Sequence, residues 1–448
     1  MFNSSFFYTF AVKKCIIFKK RMKVKRNFSA GWMLLFSGVI VATVACSKDV
    51  YDEQKYEELV VLMQPVDTID ANHDWQLTAE HAITVDASKV NIGTESLQIL
   101  SANPAAGQGT KILGQYDFVD GEKRDITFNA PSTDTVFYAA LVDANKSYTI
   151  ARFTPREHTV DFSTLIATKA VVSQRLLTPQ AYSYCFEGEV PQPGDYDYND
   201  VVLHISQERT AKNQITLNVT LAAVGTEYKI GAAIQLIGYR YSDIDSIVTT
   251  NGKTFDDGYE KQYPIMIEDN DLLLRGINDE AIVNVFEDAH WATGNARKNE
   301  YGILDRRYYN VSKSSSTDFG IIATRTISYV ITFKDATRLD DFTLNSIDPF
   351  IITEYNGSFW ETHTHAEHRA DQSLHEYSLN VSAKILPWSL VVPAVDFRYP
   401  LQGVNMGFYK KDVLFGAYMT RGHSFGEWAS NRHTSQDWYK YPTGNQVF

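Results

Sequence analysis

Cysteine is scarce: the 448 residues contain three, Cys15, Cys46 and Cys185. A fold with so few cannot rest on a disulfide framework, so its stability must come from buried apolar surface. No run of about 20 apolar residues occurs, which excludes a comfortable membrane-spanning helix. A Gly-rich phosphate loop, a Gly-x-Ser-x-Gly elbow and a His-Glu-x-x-His zinc motif are all absent. Sustained helical periodicity and internal repeats are absent too. Acidic residues are missing from the first segment: residues 1–45 carry no Asp or Glu and eight Lys or Arg.

That basic stretch ends in an apolar run, Trp32 to Ala45, followed by Cys46 and the polar Ser47-Lys48-Asp49. A basic region, a short apolar core and a small residue before a cut describe a secretory signal. Met22, followed by Lys23-Val24-Lys25-Arg26, is the more natural start. Val44-Ala45-Cys46 resembles a lipobox, with Thr43 where Leu or Val is usual. The expectation is therefore acylation of Cys46 and stable attachment to a membrane through its acyl chains. Removal of residues 1–45 takes the net charge from −12 to −20. A chain so acidic excludes nucleic-acid binding by phosphate neutralisation.

The remainder reads as all-β, with two β-sandwich domains behind the signal and tether. After the signal (1–45), residues 46–65 form an acidic tether. Short runs of β-formers at regular spacing, such as His81–Val85, Ser96–Leu100 and Asp125–Phe128, then predict a small Ig-like sandwich over 66–160. Residues 161–180 connect. A larger, jelly-roll-like sandwich covers 181–448, with long alternations at 214–222 and 326–333.

One motif carries chemistry. In Gly194-Asp195-Tyr196-Asp197-Tyr198-Asn199-Asp200 the side chains of Asp195, Asp197 and Asn199 alternate with tyrosines. Such spacing resembles the first half of an EF-hand loop, and hard cations such as Ca²⁺ take six to eight oxygens. It departs from that loop at Asp200, where Gly belongs, and at Ser206, where the bidentate Glu belongs. Glu187 could supply a remote carboxylate. The candidate ligands are Glu187, Asp195, Asp197, Asn199 and Asp200. The alternative is that these groups brace the turn by accepting backbone N–H groups.

The phrase Phe186-Glu187…Gly194-Asp195-Tyr196-Asp197-Tyr198-Asn199-Asp200-Val201-Val202 resembles the signature of the LruC-domain family of bacterial lipoproteins. Asn72-His73-Asp74-Trp75, Phe286-Glu287-Asp288-Ala289-His290, Asp348-Pro349-Phe350-Ile351-Ile352, Pro387-Trp388, Phe397–Leu401 and Phe425-Gly426-Glu427-Trp428-Ala429 resemble further blocks of it. The resemblance covers most of 47–448. It implies a β-rich periplasmic or surface lipoprotein and names no reaction.

Two weaker constellations remain. Residues 361–376 hold four histidines, His363, His365, His368 and His375, among several carboxylates. This reads as a solvated loop, or as a zinc site with His363 and His365 on one face. The closing segment gathers Phe425, Trp428, Trp438 and Tyr439, either as a sugar-stacking platform or as a seal on the core. The expected function is a non-enzymatic cell-envelope lipoprotein of the outer membrane with a binding or adhesive role toward a protein or glycan, stiffened by Ca²⁺. The alternatives are a glycan-binding accessory lipoprotein and a hydrolase.

Overall fold

The computed structural model describes residues 64–164, 168–189, 194–259, 271–313, 321–340, 342–355, 358–365, 377–378, 385–410 and 413–448. All of them belong to one compact unit, Glu57–Phe448. Cys46, the signal and residues 46–63 of the tether lie outside the described residues.

The described chain is all-β with several sheets. Its first strands are β1 (Thr78–Asp86), β2 (Thr94–Leu100), β3 (Thr110–Asp117), β4 (Lys123–Pro131), β5 (Phe137–Asp143), β6 (Ser147–Phe153), β7 (Thr159–Asp161), β8 (Thr168–Val171) and β9 (Leu177–Pro179). They form a three-stranded sheet, β4-β1-β7, and a six-stranded sheet, β8-β6-β5-β2-β3-β9. Val85 and Phe128 of the first share one core with Leu97, Phe137 and Phe153 of the second. Residues 161–180, read as a connector, supply β8 and β9, the two edges of the larger sheet. The pairing of β9 is non-local: Thr110 lies opposite Leu177.

Two further six-stranded sheets follow. The first is built from β10 (Ala181–Phe186), β11 (Val201–Ala211), β12 (Gln214–Ala223) and β14 (Ile244–Thr249) with β19 (Arg325–Phe333) and β23 (Ser389–Val392), in the order β14-β19-β12-β11-β10-β23. The second contains β13 (Ile230–Arg240), β15 (Leu273–Arg275), β16 (Glu280–Phe286), β20 (Ile347–Tyr355), β21 (Ser358–His363) and β22 (Tyr377–Ser378), ordered β15-β16-β13-β20-β21-β22. A small hairpin joins β17 (Arg297–Lys298) to β18 (Leu304–Asp305). Leu203, Leu217, Val219 and Tyr329 of the first sheet pack with Ile234, Val283 and Ile351 of the second. The alternation Ile327, Tyr329, Ile331, Phe333 buries one face of β19, as a period of two requires.

Strand β10 is buried along its whole length, Ala181 to Phe186. Its Tyr184 and Phe186 enter the core between the sheets, whereas Cys185 points to the opposite face. There Cys185 meets a second core formed by Tyr198, Phe425, Trp428 and Trp438. The closing aromatics thus seal this face of the sheet: Trp428 and Trp438 are fully buried. Desolvation pushes the Cys185 thiol far above its ordinary range, as expected of an inert buried cysteine. Trp75 joins the same core, stacked on His73 and edge-on to Trp428.

Candidate metal centre

The acidic turn lies where β10 leaves the sheet and the chain returns into β11. Tyr196 and Tyr198 both adopt left-handed backbone, with φ of 59° and 53°. Their rings enter the aromatic core, and the Tyr198 hydroxyl donates to the Pro387 carbonyl at 2.8 Å. With the tyrosines held in the core, the carboxylates of Asp195 and Asp197 that alternate with them turn toward Glu187. Ligand oxygens of Glu187, Asp195 and Asp197 all lie within 4.8 Å of one another. Glu187 and Asp197 are buried and Asp195 is exposed, so one side of the cluster reaches solvent.

Backbone amides fix the turn in part. Glu187 Oε1 accepts from the Tyr198 amide at 2.6 Å. Asp197 accepts from the amides of Asn199 at 3.1 Å and Gly403 at 2.8 Å. Asp200 accepts from the Gly188 amide at 2.5 Å. Asn199 donates through its side-chain amide to the Pro400 carbonyl at 3.1 Å. Asp200 and Asn199 therefore anchor the neighbouring chain, while Glu187, Asp195 and Asp197 form the convergent set.

These bonds do not exhaust the site. Glu187 Oε2 is buried with no hydrogen-bond partner, and so is Asn199 Oδ1. Among the described residues no Lys or Arg pairs with Glu187, Asp195, Asp197 or Asp200. Burial, followed by the charges of Asp197, Asp200 and Asp195, drives the Glu187 carboxyl well above the usual range. Burial and then Asp195 do the same to Asp197. Burial also raises Asp200, against the pull of the Gly188 amide. Clustered buried carboxylates without a cation are costly. A divalent cation or shared protons would relieve that cost.

A different buried acidic cluster is compensated. Glu287 faces Lys229 at 3.5 Å, and Asp288 faces His290 at 3.3 Å and Arg306 at 3.4 Å. Asp288 also caps the short helix Ala289–Ala292 by accepting from the His290 amide. The contrast sets the turn apart.

His363 and His365 are not in a solvated loop. His363 ends β21 and is fully enclosed, with Nδ1 2.8 Å from Asp348 and Nε2 3.1 Å from Glu361. Asp348 also accepts from the Thr364 and His365 amides, at 2.8 and 3.1 Å. Burial opposes the imidazolium, but Asp348 and then Glu361 outweigh it and raise the His363 pKa to about 9. Both ring nitrogens are thus engaged by carboxylates, which leaves neither for zinc. His368 and His375 lie outside the described residues. The sequence hid this triad because Asp348 reaches His363 only through the pairing of β20 with β21, where Phe350 lies opposite His363.

Residues 213–439 match the model of a family described as a domain of unknown function, DUF4842. No curated protein matches the chain. Among solved structures it is similar to a candidate lipoprotein from Bacteroides ovatus, at 16% identity and a TM-score of 0.48, covering 80% of this chain and 99% of that one.

Proposed function

The chain belongs to the DUF4842 family, and on that premise we propose that it is a non-enzymatic, lipid-anchored protein of the cell envelope whose larger sheet pair is stiffened by Ca²⁺ at the acidic turn. The carrying observation is Glu187 Oε2, buried and without a hydrogen-bond partner beside the oxygens of Asp195 and Asp197. An oxygen-only donor set with two buried carboxylates suits a hard cation, and the solvent-facing Asp195 leaves room for water ligands. Asn199 and Asp200 complete the proposed set, as an amide oxygen and a supporting carboxylate. The reading joins the turn to the aromatic core: Asp197 holds the Gly403 amide, and the Tyr196 carbonyl accepts from Met406 at 2.7 Å. A cation there would tie the closing segment to β10 and β11.

The lipid anchor rests on Cys46 and the signal before it. The resemblance to LruC-domain lipoproteins, which implies a periplasmic or surface lipoprotein, supports the same assignment, and we place the anchor in the outer membrane as part of this proposal. The role proposed is binding or adhesion at the envelope. Elemental analysis of protein purified without chelator tests the cation: about one equivalent of calcium supports the assignment, and protein that neither carries nor takes up calcium overturns it.

A further inference from the structure

The observations above leave Trp291 without a role. It lies in the short helix Ala289–Ala292, half-buried, at the wall of an open hollow of about 480 Å³. Its indole N–H donates to the Asp257 carbonyl at 3.2 Å, and the Tyr259 ring lies 5.4 Å away, so the ring is held in one orientation. Asp257, Asn295, Thr324 and Arg325 also line the hollow. A hollow of this size accommodates one or two sugar rings rather than a large cofactor.

We propose that this hollow binds a neutral glycan, with a pyranose ring stacked on Trp291 and its hydroxyls on Asp257 and Asn295. An aromatic face offers a polarised surface to the ring's C–H bonds. Flanking polar groups then have to match several hydroxyls at once. Asp257 and Asn295 are exposed and can do so. Among the described residues one carboxylate oxygen of Asp257 is engaged, by the amide and hydroxyl of Thr254, each at 3.0 Å. Asn295 donates its side-chain amide to Thr293 O at 3.2 Å, which leaves its oxygen as an acceptor.

The donors and acceptors that the hollow presents favour a neutral over an acidic sugar. The Arg325 guanidinium is spent on backbone: Nη1 donates to Phe255 O and Ala292 O, and Nη2 to Thr254 O. The guanidinium keeps its charge, but its Nη donors are turned to carbonyls and offer an acidic sugar no bidentate pairing, while Asp257 in the wall stands against a sugar carboxylate. Lys298 of the β17–β18 hairpin, an exposed residue, lies over the indole at 6.0 Å, at the outer limit of a cation–π contact. The same hairpin carries Tyr301, 78% exposed, as a second aromatic surface for a longer chain. This inference does not depend on the cation.

The full chain in detergent is probed against an array of neutral and acidic glycans, and the best neutral oligosaccharide is titrated by calorimetry. Binding of a neutral glycan, weakened about tenfold or more by Trp291→Ala and by Asn295→Ala with melting temperatures unchanged, is expected. Asn295 is exposed, so its substitution keeps the test valid if Trp291→Ala misfolds. The proposal is overturned by an array on which no neutral glycan binds, by binding confined to acidic glycans, or by affinity that neither substitution moves more than about twofold.

Discussion

The carboxyl of Glu187 occupies the space a side chain on Gly194 would need: a Cβ there would sit 1.8 Å from Glu187 Oε2. The glycine that opens the acidic turn is thus required by the glutamate that closes the site. Its role is close approach, not an unusual φ. Gly194→Ala must push Glu187 from the cluster, with a loss of about 1–3 kcal/mol typical of overpacking. Urea unfolding with and without Ca²⁺ checks this. The variant should be less stable in both, and should lose most of its response to Ca²⁺.

Asp348 and His363 predict an alkaline weakness. The folded pKa of His363 is raised to about 9 from an ordinary value of 6.5. A raised imidazole pKa stabilises the fold fully below the unfolded value and ceases to do so as pH rises through the folded one. The shift corresponds to roughly 3 kcal/mol, shared with Asp348 and counted once. Asp348 is depressed: burial opposes its charge, but the charge and hydrogen bond of His363, together with His365 and the Thr364 hydroxyl, outweigh it. Its contribution is therefore present above its ordinary range and lost in strong acid. Unfolding free energy at pH 6, 8 and 10 should fall through this window in the wild type. The fall should be smaller in His363→Gln, which will be about 3–5 kcal/mol less stable at pH 6 because it removes the cation paired with the buried Asp348.

Fragment boundaries follow from β8, β9 and Trp75. A fragment of 78–180 keeps both edges of the six-stranded sheet, whereas 66–160 loses them and bares Trp75 and Leu77, which pack in the core around Trp428. We expect cooperative thermal unfolding from 78–180 and none from 66–160. A fragment of 175–448 should fold, with Trp428 more exposed to fluorescence quenchers than in the full chain. This also tests whether the sheets form two separable sandwiches.

Acylation predicts that Cys46→Ser moves the protein from the membrane fraction to the soluble one. Retention of the variant on the membrane, cut at the same site, contradicts the anchor.

The alternation of apolar and polar residues made the strands legible. Residues 214–222 and 326–333 became β12 and β19, which pair antiparallel with Val219 opposite Ile327. The alternating Asp195, Asp197 and Asn199 pointed to the turn, and Glu187 was within reach because it directly follows β10, shortly before the turn in the chain. What stayed hidden is non-local. Gly403 reaches Asp197 from the closing segment, and no local pattern announces that contact. The chain 161–180 lacks strong periodicity because β8 and β9 are short edge strands. His363 read as loop because polar residues surround it in sequence, while its carboxylate partners gather only when β20 and β21 pair. Trp291 stood in a quoted block's shadow, since a single tryptophan carries no spacing signal.

The central claim is that Glu187, Asp195 and Asp197 hold a cation and do not merely brace the turn. The direct measurement is the melting temperature of the wild type and of Glu187→Gln, in millimolar Ca²⁺ and after exhaustive chelation verified by elemental analysis. An ion bound only by the folded state contributes about 2.7 kcal/mol at a hundredfold excess over Kd. The wild type should melt several degrees higher in Ca²⁺ than when metal-free, and Glu187→Gln should lose most of that difference while remaining folded. A wild type that melts at the same temperature in Ca²⁺ and when shown to be metal-free would contradict the claim.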